Sequence, residues 1–173
     1  CALYTARSSL KTYILDKNPA VGALAITHKI ANYLYDLAKD FYDTMVECSN
    51  DKSVRSVLLT GKGKIFCGGG DLNYFLSHKD DMKETLTRMT HLIHGGITLM
   101  AQMDAPIVTA VNGTAGGGGF SLAISGDIVY SAESAKFTSA YTKAALSPDA
   151  SSTYYLPRLV GLRKAKELIR RKD

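Results

Sequence analysis

The sequence is poor in the residues that build covalent frameworks, metal centres and membrane spans. Three cysteines, Cys1, Cys48 and Cys67, stand far apart in 173 residues. An odd number at such spacings argues against a disulfide framework and fits a reducing compartment, so a cytoplasmic location is expected. No C-x-x-C occurs. His91 and His94 stand three apart on an expected helix, but no Asp, Glu or Cys completes a ligand spacing. Neither a metal nor a redox cofactor is therefore expected. The charge-free stretch 105–126 contains Pro106, Asn112 and six glycines, a poor composition for a membrane-spanning helix. No basic segment followed by an apolar one opens the chain, so no signal peptide is visible. The first residue is Cys1 rather than methionine, and a piece of a longer product is expected.

What is present suits one compact, water-soluble domain over residues 1–173, with 46% hydrophobic and 21% charged residues. The net charge of +5 could draw nucleic acid, an acidic membrane surface or a phosphorylated small molecule. The basic residues are scattered, however, except for Arg163, Lys164, Lys166, Arg170, Arg171 and Lys172. No basic stripe with interleaved aromatics occurs. The C-terminal cluster reads as a solvated helix face, and neither nucleic acid nor membrane is expected as a partner.

Along the chain, residues 10–16 (LKTYILD) read as a strand, and Asn18-Pro19 breaks it. Apolar residues at Ile30, Leu34, Leu37, Phe41, Met45 and Cys48 predict a helix over 27–49, capped by Thr27 or a neighbour. Residues 54–60 (VRSVLLT) read as a buried strand, and 61–70, with five glycines, as loop. A second helix runs through Met82, Leu86, Met89, Ile93, Ile97 and Met100. Gly95-Gly96 marks either a kink or a close backbone approach in it. Strands follow at 106–111 (PIVTAV) and 127–131 (DIVYS), with a short helix at 120–124 between them. Strands alternating with helices define an α/β class with parallel pairing.

Twice, a buried strand runs into glycines that lead to a helix. Glycine lets the backbone come close to a ligand, because no Cβ intervenes. The helix start then offers unpaired N–H groups and a positive dipole end. Two such turns side by side supply two donors to one oxygen. Nucleotide patterns do not fit. G-x-G-x-x-G fails because Phe66 and Ser121 occupy the last positions. The Walker pattern fails at Ser56 and Leu58, and a nucleophile elbow fails at Ala123. On pattern alone, purely structural turns remain an open reading.

The segment 53–72 (SVRSVLLTGKGKIFCGGGDL) is similar to the first motif of the crotonase, or enoyl-CoA hydratase/isomerase, family, a strand and glycine loop ending in F-x-x-G-x-D. Residues 105–137 (APIVTAVNGTAGGGGFSLAISGDIVYSAESAKF) resemble its second motif almost position for position, and 156–168 (LPRLVGLRKAKEL) resemble the helix that follows. The resemblance covers roughly 10–170. It implies a spiral of ββα units with a parallel sheet, without the family's last helical segment, and an acyl-CoA thioester as substrate, so that coenzyme A arrives with the substrate. It also implies assembly as a homotrimer or hexamer.

Carried over by position, the main-chain N–H groups of Gly70 and Gly118 fall on the two oxyanion donors. Gly68, with Gly69 and Gly117 beside these turns, falls on the coenzyme A side, and Asp71 reads as a helix cap. The two glutamates of the hydratases fall on Ser121 and Tyr141, neither of them a carboxylate. Tyr141, on the substrate side, could hydrogen-bond within the pocket or simply fill the space a glutamate leaves, and space-filling is the expectation. Asp149, in Leu146-Ser147-Pro148-Asp149, resembles the acid/base position of the family's isomerases, where a dehalogenase keeps a nucleophilic aspartate. On spacing alone Asp149 could equally be a helix cap; with the resemblance it is expected to be a buried catalytic carboxylate. One carboxylate suffices for isomerisation. His91 and His94 are read as helix surface or pocket wall. The expected activity is an enoyl-CoA isomerase/hydratase-type reaction through a thioester enolate. A hydratase, or an acyl-CoA-binding subunit without catalysis, is the alternative.

Overall fold

A computed structural model describes residues 3–5, 10–15, 23–28 and 35–170, residue 62 excepted. Strands β1 (Leu3–Thr5), β2 (Leu10–Leu15) and β3 (Ala23–His28) pair antiparallel in order. β3 continues parallel to β4 (Ser56–Gly61), β4 to β6 (Ile107–Val111), and β6 to β8 (Ile128–Ser131). A smaller parallel sheet orders β5 (Ile65–Cys67), β7 (Thr114–Gly116) and β9 (Phe137–Thr138). The helices are α1 (Tyr35–Asn50), α2 (Leu72–Ser77), α3 (Met82–Gln102), α4 (Gly118–Ala123), α5 (Ser152–Val160) and α6 (Leu162–Arg170). Among the described residues no helix is long and apolar enough to cross a membrane.

The expected helix over 27–49 is corrected at its start, because Thr27 belongs to β3 and α1 begins at Tyr35. Residues 23–28 are hydrogen-bonded on both edges, to β2 and to β4. Two ladders outweigh a local helical spacing, and β-branched Ile26 and Thr27 suit the extended form. Ile30 and Leu34 lie outside the described residues. A second correction concerns the glycine loops. Residues 65–67 and 114–116 are short strands that pair with each other, not loop. At three residues each they are too short to show a period, and only their mutual pairing makes them strands.

The core forms where α1 and α3 lie together on the parallel strands. Leu37, Phe41, Met45 and Cys48 of α1 meet Ile93, Ile97 and Met100 of α3 over Val57, Leu59, Ile107 and Val111. Gly95-Gly96 is a close approach, since α3 runs unbroken from Met82 to Gln102. A methyl at Gly96 would lie 2.3 Å from Cε1 of Phe41, and one at Gly95 2.7 Å from Cε2 of Tyr42. The last expected helix is two helices, divided by Gly161 at φ 79°. They join α4 through Phe120, Leu156 and Ala165. Arg163, Lys164, Lys166 and Arg170 lie on the exposed side of α6, as the charge pattern predicts.

Candidate active site

The smaller sheet brings the two glycine turns together. β5 and β7 pair in parallel register, Ile65 with Thr114 and Cys67 with Ala115, and each runs directly into a turn. The backbones then come too close for side chains. A methyl on Gly69 would sit 2.7 Å from the Gly116 carbonyl oxygen and 3.0 Å from the Gly118 nitrogen. One on Gly119 would sit 2.0 Å from the Cys67 carbonyl oxygen. Gly69 (φ 91°) and Gly117 (φ 51°) also hold backbone angles that favour glycine. Asn112 staples the two motifs: its Oδ1 accepts from Gly61 N–H at 2.9 Å, and its Nδ2 donates to the Gly63 carbonyl at 2.8 Å. Asp71 caps α2, accepting from the N–H groups of Asn73 and Tyr74 at 2.9 and 3.2 Å, in line with its reading as a cap.

Beside these turns lies a cavity of about 110 Å³. Gly70, Gly118, Tyr141 and Asp149 all line it, with Phe75, Leu86, Met89, Thr90, Ile93, Leu146 and Ala150 completing a mostly apolar wall. Three other expected site residues are not in that wall. Gly68 is exposed outside it, and Gly69 and Gly117 are buried where the two turns touch. Their observed part is to let the main chains approach.

Asp149 is not the buried carboxylate expected, nor a helix cap. Its side chain is 44% exposed, and Oδ1 lies 2.8 Å from Nε2 of His94, which is 47% exposed. Ser151 occupies the N-cap position of α5, without a side-chain capping bond. His94 lies at the helix surface, as expected, and its pairing with Asp149 was not foreseen. A signal was present: Leu86, Thr90 and His94 recur at four-residue steps, which puts them on one face of α3, and the first two line the cavity. His91 points elsewhere and bonds the Thr87 carbonyl through Nδ1 at 2.7 Å.

Tyr141 does more than fill space, a second correction. Its hydroxyl lies 2.9 Å from Ser121 Oγ and 3.2 Å from the Asp149 carbonyl oxygen. Burial pushes its phenol up to about 12, with the Asp149 charge adding to this and the hydrogen bond to Ser121 opposing it. The hydroxyl therefore stays protonated and able to donate near neutrality. Ser121 Oγ and Ser152 Oγ each lie 2.8 Å from that same carbonyl. The loop holding these residues is strained: Ala140, Ala145, Ala150 and Ser151 all take positive φ. A non-glycine residue there costs about 1–2 kcal/mol and persists where its surroundings over-determine it.

Parallel strands feeding two abutting glycine turns, with one carboxylate across an apolar cavity, define the crotonase fold. The chain belongs to the enoyl-CoA hydratase/isomerase family, whose model matches residues 20–171. The 1,2-epoxyphenylacetyl-CoA isomerase of Escherichia coli (strain K12) is 34% identical over 155 residues, 85% of this chain and 58% of that protein. The 4-chlorobenzoyl coenzyme A dehalogenase-1 of Arthrobacter sp is 31% identical over 126 residues, 72% of this chain and 46% of that protein. The crystal structure of an enoyl-CoA hydratase from Bacillus anthracis has a TM-score of 0.82 at 28% identity, covering 94% of this chain and 62% of that one. The chain thus spans less than two thirds of each.

Proposed function

We propose that this chain carries the reaction centre of an acyl-CoA isomerase-type enzyme. The observation behind this reading is that Asp149 lines the same small cavity as Gly70 and Gly118. The Asp149 carboxylate takes a proton from carbon, and the C–H electron pair moves through the α-carbon onto the thioester oxygen. Main-chain N–H groups of Gly70 and Gly118 hold that oxygen as its negative charge grows. Donors already in place favour the enolate over the ground state, which lowers the barrier. The carboxyl then returns the proton to another carbon, the carbonyl re-forms and nothing else is consumed. His94 holds the carboxylate in reach through its 2.8 Å contact. Pockets for drug-sized ligands measure about 300–1,000 Å³. A cavity of about 110 Å³ therefore suits the acyl tip alone, leaving the coenzyme A body outside near exposed Gly68.

A half-exposed carboxylate is also within reach of water, which favours hydration as a second reading. One experiment separates the two. A 3-enoyl-CoA is incubated with the protein in deuterated water, and again with Asp149→Asn. Isomerisation gives deuterium incorporation and a shifted double bond, with the rate reduced about 10²–10⁴-fold by the substitution. Hydration gives a product heavier by one water. Thioester binding with neither product would mark a binding subunit and overturn both readings.

A further inference from the structure

We infer that Ser121, Tyr141 and Ser152 are positioning residues whose hydroxyl groups clamp the main-chain carbonyl of Asp149 and so aim its carboxylate at His94. This rests on the reading of Asp149 as the proton carrier.

The hydroxyls come from three separate places: α4, the turn Tyr141–Ala144 and the first residue of α5. They converge on one oxygen, with Ser121 Oγ at 2.8 Å, Ser152 Oγ at 2.8 Å and Tyr141 OH at 3.2 Å. The Ser152 N–H reaches it as well, at 3.1 Å. Each hydroxyl has one proton to give and a carbonyl oxygen has two lone pairs. In the arrangement of shortest contacts, Ser121 and Ser152 donate to the Asp149 carbonyl and Tyr141 donates to Ser121 Oγ at 2.9 Å, with the direct Tyr141 contact at 3.2 Å and that of Ser121 Oγ to the Gly117 carbonyl at 3.3 Å as the longer ones. Tyr141 then polarises Ser121, and the chain of bonds strengthens the grip.

Two facts separate this from ordinary loop bonding. Ser121 is 0% and Ser152 1% exposed, so both hydroxyls find their partners inside the protein, and for each the Asp149 carbonyl is the shortest contact. The next two residues, Ala150 and Ser151, take φ of 51° and 64°. A strained pair directly after the acid would relax and swing its side chain unless something fixed the preceding peptide. Ser121 and Tyr141 thus act on the backbone of a third residue.

Ser121→Ala and Tyr141→Phe, each alone and combined with Asp149→Asn, test the clamp in the full chain with ¹⁵N-labelled histidine and a 3-enoyl-CoA as substrate probe. Both single variants are expected to move the His94 Nε2 resonance toward its position in Asp149→Asn. Misplacement by about 1 Å can cost about 10²-fold in rate, so kcat should fall between about 10- and 100-fold with KM little changed. In the Asp149→Asn background neither variant should slow the residual rate further. An unmoved His94 resonance overturns the proposal, as does an equal rate loss with and without the Asp149 carboxylate. Tyr141→Phe removes one oxygen from a half-buried site and keeps the test available if Ser121→Ala folds poorly. Should Asp149→Asn retain full activity while the resonance still moves, the proton-carrier reading fails and the clamp on the carboxylate stands.

Discussion

At the scale of single residues, Gly70 lines the cavity, and the donor proposed there is main chain, so substitution cannot delete it. A side chain there acts by intrusion. A methyl at Gly70 would lie 2.7 Å from Cε2 of Phe75, itself a wall residue. Gly70→Ala should therefore push ring or backbone by a fraction of an ångström and lower kcat/KM by about 10²-fold. Steady-state kinetics on a 3-enoyl-CoA, beside an unchanged thermal midpoint, would show it; an unchanged kcat/KM would remove Gly70 from the site. The glycine turns at 70 and 118 were legible because their backbone needs are local, whereas Asp149 was singled out by the family resemblance alone. Ser121 was legible only as a missing glutamate. Its neighbours Tyr141 and Asp149 stand 20 and 28 residues away, and no local pattern encodes such a meeting.

At the scale of elements, the α1–α3 contact is set by two glycines. Gly96→Ala should gain about 1 kcal/mol in helix propensity, yet overpacking against buried Phe41 costs about 1–3 kcal/mol. The 2.3 Å approach favours the larger cost. A net loss of about 1–2 kcal/mol should lower the midpoint by roughly 2–4 °C per kcal/mol in calorimetry. The strained loop predicts the opposite sign. Ala145 takes φ 56° and is exposed. Ala145→Gly should relieve part of the roughly 1–2 kcal/mol αL cost, more than the about 0.5–1 kcal/mol that glycine's unfolded-state entropy takes back, and raise the midpoint slightly; a lowered midpoint would refute strain at that turn. The strands of the larger sheet past residue 50 and the run of α3 were readable from β-branched runs and from helical period. β5, β7 and β9 were not, because strands of two or three residues carry no period.

At the scale of the whole molecule, two buried acids make stability depend on alkaline pH. Burial foremost, then the Glu47 charge, pushes the Cys48 thiol from 9.0 to about 12, and burial pushes the Tyr141 phenol from 10.0 to about 12. Both are raised in the folded state, so the fold holds these protons more tightly than the unfolded chain. Their contribution is complete below pH 9 and is lost as pH rises toward 12, by about 1.4 kcal/mol per pH unit for each group. Of these two groups only Cys48 titrates between pH 9 and 10, so Cys48→Ala should flatten the slope of the midpoint there; an unchanged slope would show the thiol is not its source. The sequence by itself determined the glycine turns and the main strands, because glycine freedom, β-branching and helical spacing act within a few residues; the candidate acid, Asp149, came only from the family resemblance. Only the tertiary structure decided that β5 and β7 press the turns together, that His94 meets Asp149 across 55 residues, and that three hydroxyls share one carbonyl. Those meetings depend on how parallel crossovers return the chain, a distance over which local preference carries no information.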